Sequence, residues 1–456
     1  DIFALNDPET AELDKDQVLV APEDRLETEV NTLYFDVIHN VSSNFSITNK
    51  TFFEGMENIN ENAYGFSQVI DSSVTENKTI FAYDVQPANW LDTSHQLAPS
   101  VRHVEFERGQ DFTFEFFDRR DLTERSTAND KRLLATQTGQ NFDDFLVGRY
   151  TDYGIAYLGD FTIADRIGLT LGGRFDAVDF DVDRDLSKID SREIDDDVAR
   201  EGTDNSSEFS YNISLNYQSR WGVTPYFTIA EQTTVISSQG NDVDPDNIQD
   251  GEAMSTSELT EFGVKADLLN GRLYMAAAFF NQERTEPAAQ GLTSNVATET
   301  EGYELEARWL VTDRFTVTGA ATKLDIYNLS AEEEGNQFSF AGSEDLKNVA
   351  PSEVFGTNPN GLIPVAGRSE SRKAGTPEYV YSLTGNYQVG YGLAVSASAQ
   401  HVDSVFSGFS KEVLLPAYTL VNMGASYKTG PWKIDAQVKN LTNKDYFRSN
   451  FPDLFG

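Results

Sequence analysis

The chain has 456 residues, with 74 acidic against 35 basic side chains and a formal net charge of −39. That balance disfavours nucleic acid as a partner, because a phosphate backbone calls for a basic surface. Cysteine is absent, which excludes a disulfide framework and thiolate metal ligation. A soluble chain of this length would ordinarily divide into two or three domains. No Pro-rich, Gly/Ser-rich or low-complexity linker divides this one, so residues 1–456 are expected to form one domain.

The dominant pattern is alternation. In Ile167, Leu169, Leu171, Gly173 and Phe175 one face is apolar, while Gly168, Thr170, Gly172, Arg174 and Asp176 make the other polar. Successive side chains of a strand point to opposite faces, so one face suits lipid and the other water. Taken in chain order, the predicted strands are 28–40, 44–57, 65–85, 101–120, 142–163, 166–182, 207–219, 222–236, 255–269, 271–286, 297–311, 314–330, 376–389, 391–405, 415–428 and 431–447. Pro87 and Pro99 interrupt the third and fourth. Many of these strands exceed the soluble norm of about 5–6 residues and reach the roughly 9–11 that cross a bilayer at a tilt.

The longest clean apolar run, 273–280, is far below the roughly 20 residues of a transmembrane helix. The mildly polar mean hydropathy is no objection to a membrane barrel, which shows lipid only every second residue. Tight turns fall at 164–166, 218–222, 269–271, 312–314, 389–391 and 428–431, and long acidic connections at 183–206, 237–255, 287–296 and 329–376. Outer-membrane barrels keep short turns in the periplasm and long loops outside. The expected fold is therefore all-β, a transmembrane antiparallel β-barrel in a bacterial outer membrane. Tyr387, Tyr391, Tyr427 and Trp432 gather near short turns and suit an interfacial aromatic girdle.

The C-terminal segment, Leu415-Pro416-Ala417-Tyr418-Thr419-Leu420-Val421-Asn422 followed by Asn440-Leu441-Thr442-Asn443-Lys444-Asp445-Tyr446-Phe447, resembles the terminal signature of TonB-dependent outer-membrane receptors. Stretches 169–176, 258–265 and 302–307 resemble that family's LxLGGRxD, ELTEFGVK and GYELEA strands, in the same order. The resemblance implies a barrel of 22 strands, of which the sixteen here would be the sixth to twenty-first, with the first strands, the plug domain and the last strand lying outside this sequence. It implies active uptake of a scarce nutrient, most commonly a ferric siderophore, with cobalamin, haem or an oligosaccharide as further cargoes. It also implies coupling to the TonB–ExbB–ExbD complex through the plug, and surroundings of outer-membrane lipid and lipopolysaccharide. A passive porin and a soluble acidic β-rich surface protein are the alternatives.

Catalysis is not expected. His39, His95, His103 and His401 are scattered without ligand spacing, no serine sits in a nucleophile elbow, and no cofactor is implied. Asp181, Asp183 and Asp185, like Asp242, Asp244 and Asp246, begin as a calcium loop does but lack glycine at the sixth position; they read as solvated acidic loops. Ligand contacts are expected in an outer vestibule. Phe338, Phe340, Phe355, Phe406, Phe409 and Phe451 could stack on a planar or sugar-like cargo there, and Arg174, Arg284 and Arg448 could pair with an anionic chelate.

Overall fold

The computed structural model describes residues 25–61, 67–111, 135–191, 194, 198–238, 240–287, 295–328, 335–339, 361–365, 373, 375–407 and 413–447. In chain order the first elements are β1 (Arg25–Asn40), β2 (Phe45–Glu61), β3 (Ser67–Ala88), β4 (Leu91–Asp111), α1 (Ala135–Thr138), β5 (Asp144–Ile163), β6 (Ile167–Arg184), β7 (Glu201–Tyr217), β8 (Val223–Val235) and α2 (Pro245–Gln249). There follow β9 (Met254–Leu268), β10 (Leu273–Pro287), β11 (Asn295–Thr312), β12 (Phe315–Asn328), β13 (Gly335–Ser339), β14 (Gly361–Val365), β15 (Tyr379–Gly390), β16 (Leu393–Val402), β17 (Val405–Ser407), β18 (Val413–Leu415), β19 (Tyr418–Thr429) and β20 (Trp432–Val438).

Sixteen strands form one antiparallel sheet in the order β1 to β12, β15, β16, β19, β20; β13–β14 and β17–β18 are small separate hairpins. All sixteen strands expected from alternation are present in the expected order. Their turns close tightly because the chain accepts left-handed backbone there. In the three-residue connection between β5 and β6, Ala164 and Asp165 have φ of 50° and 57°, and two successive positive angles match a turn to strand twist.

The alternation is one continuous surface. Phe161, Leu169, Leu215, Phe227, Phe262, Phe279 and Tyr303 stand opposite one another in register across β5 to β11. Phe262, Phe279 and Tyr303 touch ring to ring, with centroids 5.2 and 4.9 Å apart. Leu215, Phe227, Phe262 and Tyr303 stay well exposed, as side chains do when their solvent is lipid. Tyr387, Tyr427 and Trp432 share this face by register, next to the short turns. Among the described residues no helix is long and apolar enough to cross a membrane.

Several strand boundaries depart from expectation. β4 begins at Leu91 rather than 101 and runs through Asp111, while the rest of the expected stretch, 112–120, lies outside the described residues. Pro99 interrupts the ladder on one side only: pairing to β3 skips from Lys78–Ser100 to Phe81–Leu97, whereas Pro99 stays opposite Ile155 of β5. A missing N–H removes one partner, not the strand. The last strand ends at Val438, not 447. Asn440 and Asn443 take φ of 49°, and the Asn440 side chain bridges the Lys444 backbone in both directions at 2.8 and 2.9 Å. The motif expected as a strand is a turn, because asparagine accepts left-handed backbone and bonds its own loop. The 183–206 connection is also shorter than expected, since β6 runs to Arg184 and β7 starts at Glu201.

Leu171 lies midway along the lipid face and Thr170 on the opposite face, where its hydroxyl donates to Asp160 at 2.6 Å. Leu171→Arg should destabilise the folded barrel by about 2–4 kcal/mol, whereas Thr170→Arg, beside a carboxylate, should stay within about 0.5 kcal/mol of the parent. Urea unfolding in detergent micelles or vesicles reads the difference; equal costs would contradict the assigned faces.

Candidate functional site: a clasped strap in the vestibule

The polarity of β6 inverts partway along its length. Up to Ala177 one face is apolar and the other carries Thr170, Arg174 and Asp176; beyond it the first face bears Asp179, Asp181 and Asp183 and the second Val178, Phe180 and Val182. Pairing to β5 and β7 runs through this point without a slip, so the environment changes and not the register. The stretch 167–177 is about one bilayer crossing. Above it, the outward face meets water and the inward face meets protein.

That protein is the connection between β8 and β9, residues 236–253, here called the strap. Its Val243, Ile248 and Ala253 pack with Val74, Val104, Phe106, Leu146, Tyr150, Val178, Phe180 and Val182 into one buried cluster. Two glycines admit it: a Cβ on Gly202 would lie 2.9 Å from Pro245 Cα, and one on Gly148 2.8 Å from both Phe106 Cζ and Val182 Cγ2.

Around this apolar contact sits an ionic clasp. Arg184 donates to Asp144 at 2.8 Å, to Asp244 at 3.0 Å and to Asp246 at 3.4 Å. Arg108 reaches Asp242 at 3.5 Å and Asp144 at 3.9 Å. Asp244 also caps α2, accepting from the Asp246 amide at 2.8 Å, and Asp246 accepts from the Ala199 amide at 2.7 Å. Two guanidinium groups thus face four carboxylates. Burial pushes the Asp244 carboxyl up to about 7, although Arg184 pulls the other way. The expectation of solvated loops is corrected here: Asp242 and Asp244 are only 4% and 6% exposed. Asp181 and Asp183 lie within β6 rather than in a loop, and Asp181 accepts from Arg149 at 2.8 Å on the outward face.

Among the expected ligand contacts, Arg174 faces inward just below the inversion. It donates to Asp176 at 2.8 Å, to Ser100 at 3.3 Å and to Asp152 at 3.4 Å, so its charge is shared with two wall carboxylates. Arg284 lies on β10, four strands away in the sheet, opposite Thr298 of β11. Phe338 stands in register with Leu362 in the β13–β14 hairpin, and Phe406 with Leu414 in β17–β18. Phe340, Phe355, Phe409, Arg448 and Phe451 lie outside the described residues. Sequence reasoning missed Arg108, Arg184 and Asp144. The signal that could have found them is the inversion itself, since Val178, Phe180 and Val182 had no reason to face water.

An antiparallel wall with an apolar outer face, short turns at one end and a strap packed against its inner face at the other has the architecture of a transmembrane β-barrel protein. The model of the family described as TonB dependent receptor-like, beta-barrel, matches residues 6–441, and the chain belongs to that family. It is 23% identical over 326 residues to the ferrioxamine receptor of Yersinia enterocolitica, covering 69% of this chain and 38% of that protein. It is 26% identical over 237 residues to the catecholate siderophore receptor Fiu of Escherichia coli, covering 46% of this chain and 29% of that protein. Among solved structures it is similar to the siderophore receptor PiuA of Acinetobacter baumannii, with a TM-score of 0.68 at 15% identity, covering 97% of this chain and 64% of that one. The chain therefore spans less than two thirds of each of these three proteins.

Two outcomes follow for the clasp. Arg184→Met leaves buried carboxylates without their cation and should weaken strap docking by about 3–5 kcal/mol, read as faster hydrogen exchange of the strap amides. The pH response has a definite sign. A folded value near 7 for Asp244, above the unfolded value of about 3.9, contributes stability that is fully present below about 4 and lost as pH rises through about 7. Strap protection, corrected for intrinsic exchange, should therefore fall between pH 5 and pH 8.5, and Asp244→Asn should flatten that fall; a rise with pH would contradict it.

Proposed function

We propose that this chain is the barrel wall of an energised outer-membrane receptor that takes up a ferric siderophore. The observation that carries this reading over a porin is the sheet itself. Among the described residues β1 and β20 each have one neighbour and do not pair with each other, whereas a sixteen-stranded porin would close on that pair. Unpaired edges in hydrocarbon are costly, and a wider wall of the kind found in 22-stranded transporters satisfies them. Residues 1–456 act in this reading as one barrel domain of the bacterial outer membrane, embedded in outer-membrane lipid and lipopolysaccharide.

The names of the two curated relatives support an iron chelate as cargo, ferrioxamine in one and a catecholate siderophore in the other. Energy would come from the TonB–ExbB–ExbD complex acting through a plug inside the wall. No bond of the cargo is made or broken, so the wall works by binding and not by catalysis. The cargo would be met in the vestibule by Arg284, Arg448 and the aromatic set Phe338, Phe340, Phe355, Phe406, Phe409 and Phe451. Arg174, already ion-paired, would contribute at the floor.

The full-length receptor, purified in detergent, should bind an iron-loaded siderophore such as ferrioxamine or a ferric triscatecholate with a Kd below about 1 µM, and the iron-free chelators at least tenfold more weakly. Its gene should restore growth of an iron-starved receptor-deficient strain only when the coupling complex is intact. Uptake that persists without coupling would favour passive diffusion.

A further inference from the structure

The strap has a consequence for where cargo can sit. Its buried side, Val243, Asp244, Pro245 and Ile248, is spent on the wall, and its carboxylates Asp242, Asp244 and Asp246 are spent on Arg108 and Arg184. Everything behind it, from Val74 and Phe106 to Phe180 and Val182, is shut off from the vestibule. The strap's less covered residues are Asn241 and Asn247, both half-exposed, followed by the more exposed Gln249, Asp250 and Glu252. An amide gives one donor pair and one acceptor without charge, so this surface fits a ligand rich in amide, hydroxamate or carbonyl oxygen rather than a bare anion. The anchoring is spread over an apolar cluster reaching four wall strands and over two arginines on different strands. An element held by a closely packed interface tends to stay or leave as a unit, because packed interiors do not deform continuously.

Resting on the receptor reading above, we propose that residues 240–253 of the strap are a fixed jaw of the vestibule. The jaw stays clasped to β3–β6 throughout the cargo cycle, and Asn241 and Asn247 are its specificity-determining contacts. Cargo is accordingly held between the jaw and the opposite wall, and the upper parts of β3–β6 never meet it.

A cysteine-free chain makes the test clean. A Cβ on Gly240 would lie 2.8 Å from Ile70 Cγ2 on β3, which sets the two Cβ atoms about 4 Å apart, within the span of a disulfide. In the full-length receptor carrying I70C and G240C, oxidation should leave ferrioxamine affinity and cellular iron uptake within about twofold of the reduced form. Uptake that falls more than tenfold on oxidation and returns with reductant would overturn the fixed jaw. Hydrogen exchange on the unaltered receptor gives a second reading. The amides of 242–248 should stay protected with and without ferrioxamine, and exchange at the rate of a free loop would overturn the proposal even if the cysteine variant fails to fold. For the contacts, N241G with N247A should weaken ferrioxamine binding about tenfold while strap protection is unchanged; glycine suits position 241, where φ is 61°. Unchanged affinity would overturn the contact role. If the unaltered receptor binds neither ferrioxamine nor a ferric triscatecholate, the siderophore reading and the contact role fall together, while hydrogen exchange still decides whether the jaw is fixed.

Discussion

Backbone amides and carbonyls in hydrocarbon have no water to turn to, so each must find a partner within the protein. In this chain that requirement is met, between its two edge strands, by pairing each strand of the sheet with the next, over sixteen strands. Once neighbours pair in register, the period of two carries alternate side chains of each strand to opposite faces. The lipid surface from Phe161 to Tyr303 and the polar inner wall are thus two consequences of one hydrogen-bonding demand. Even Pro99 obeys it: the ladder lapses where its N–H is missing and continues on the other edge.

The same register, carried past the bilayer, sets up the vestibule. Beyond Asp176 the strands continue for several residues with polarity reversed, offering Val178, Phe180 and Val182 inward. An apolar inner wall above the membrane is unfavourable unless something covers it. The strap does so with Val243, Ile248 and Ala253, and the arginines that hold it come from β4 and β6. Burial of the Asp244 carboxyl in the clasp makes the docking answer to protons as well as to packing.

Much of this is legible in the sequence. The sixteen strands, their order, the turns and the lipid face all follow from local alternation and turn chemistry. Legibility failed where a local signal had two readings. Pro99 looked like a strand end because its second edge was invisible in sequence. The stretch around Asn440 looked like a strand through resemblance, yet its asparagines bond their own backbone. Asp242 and Asp244 looked like solvated loop residues because nothing nearby in the chain neutralises them; Arg184 lies about sixty residues away.

The sequence by itself determined an all-β wall, the order of its strands and its family, because strand period, turn residues and short motifs are properties of neighbours along the chain. Tertiary structure alone decided which face of the upper strands is covered, by what, and which charges meet. Those outcomes depend on a strap reaching back from β8 to β3 and on arginines from two separate strands, and no periodicity encodes a contact between residues so far apart.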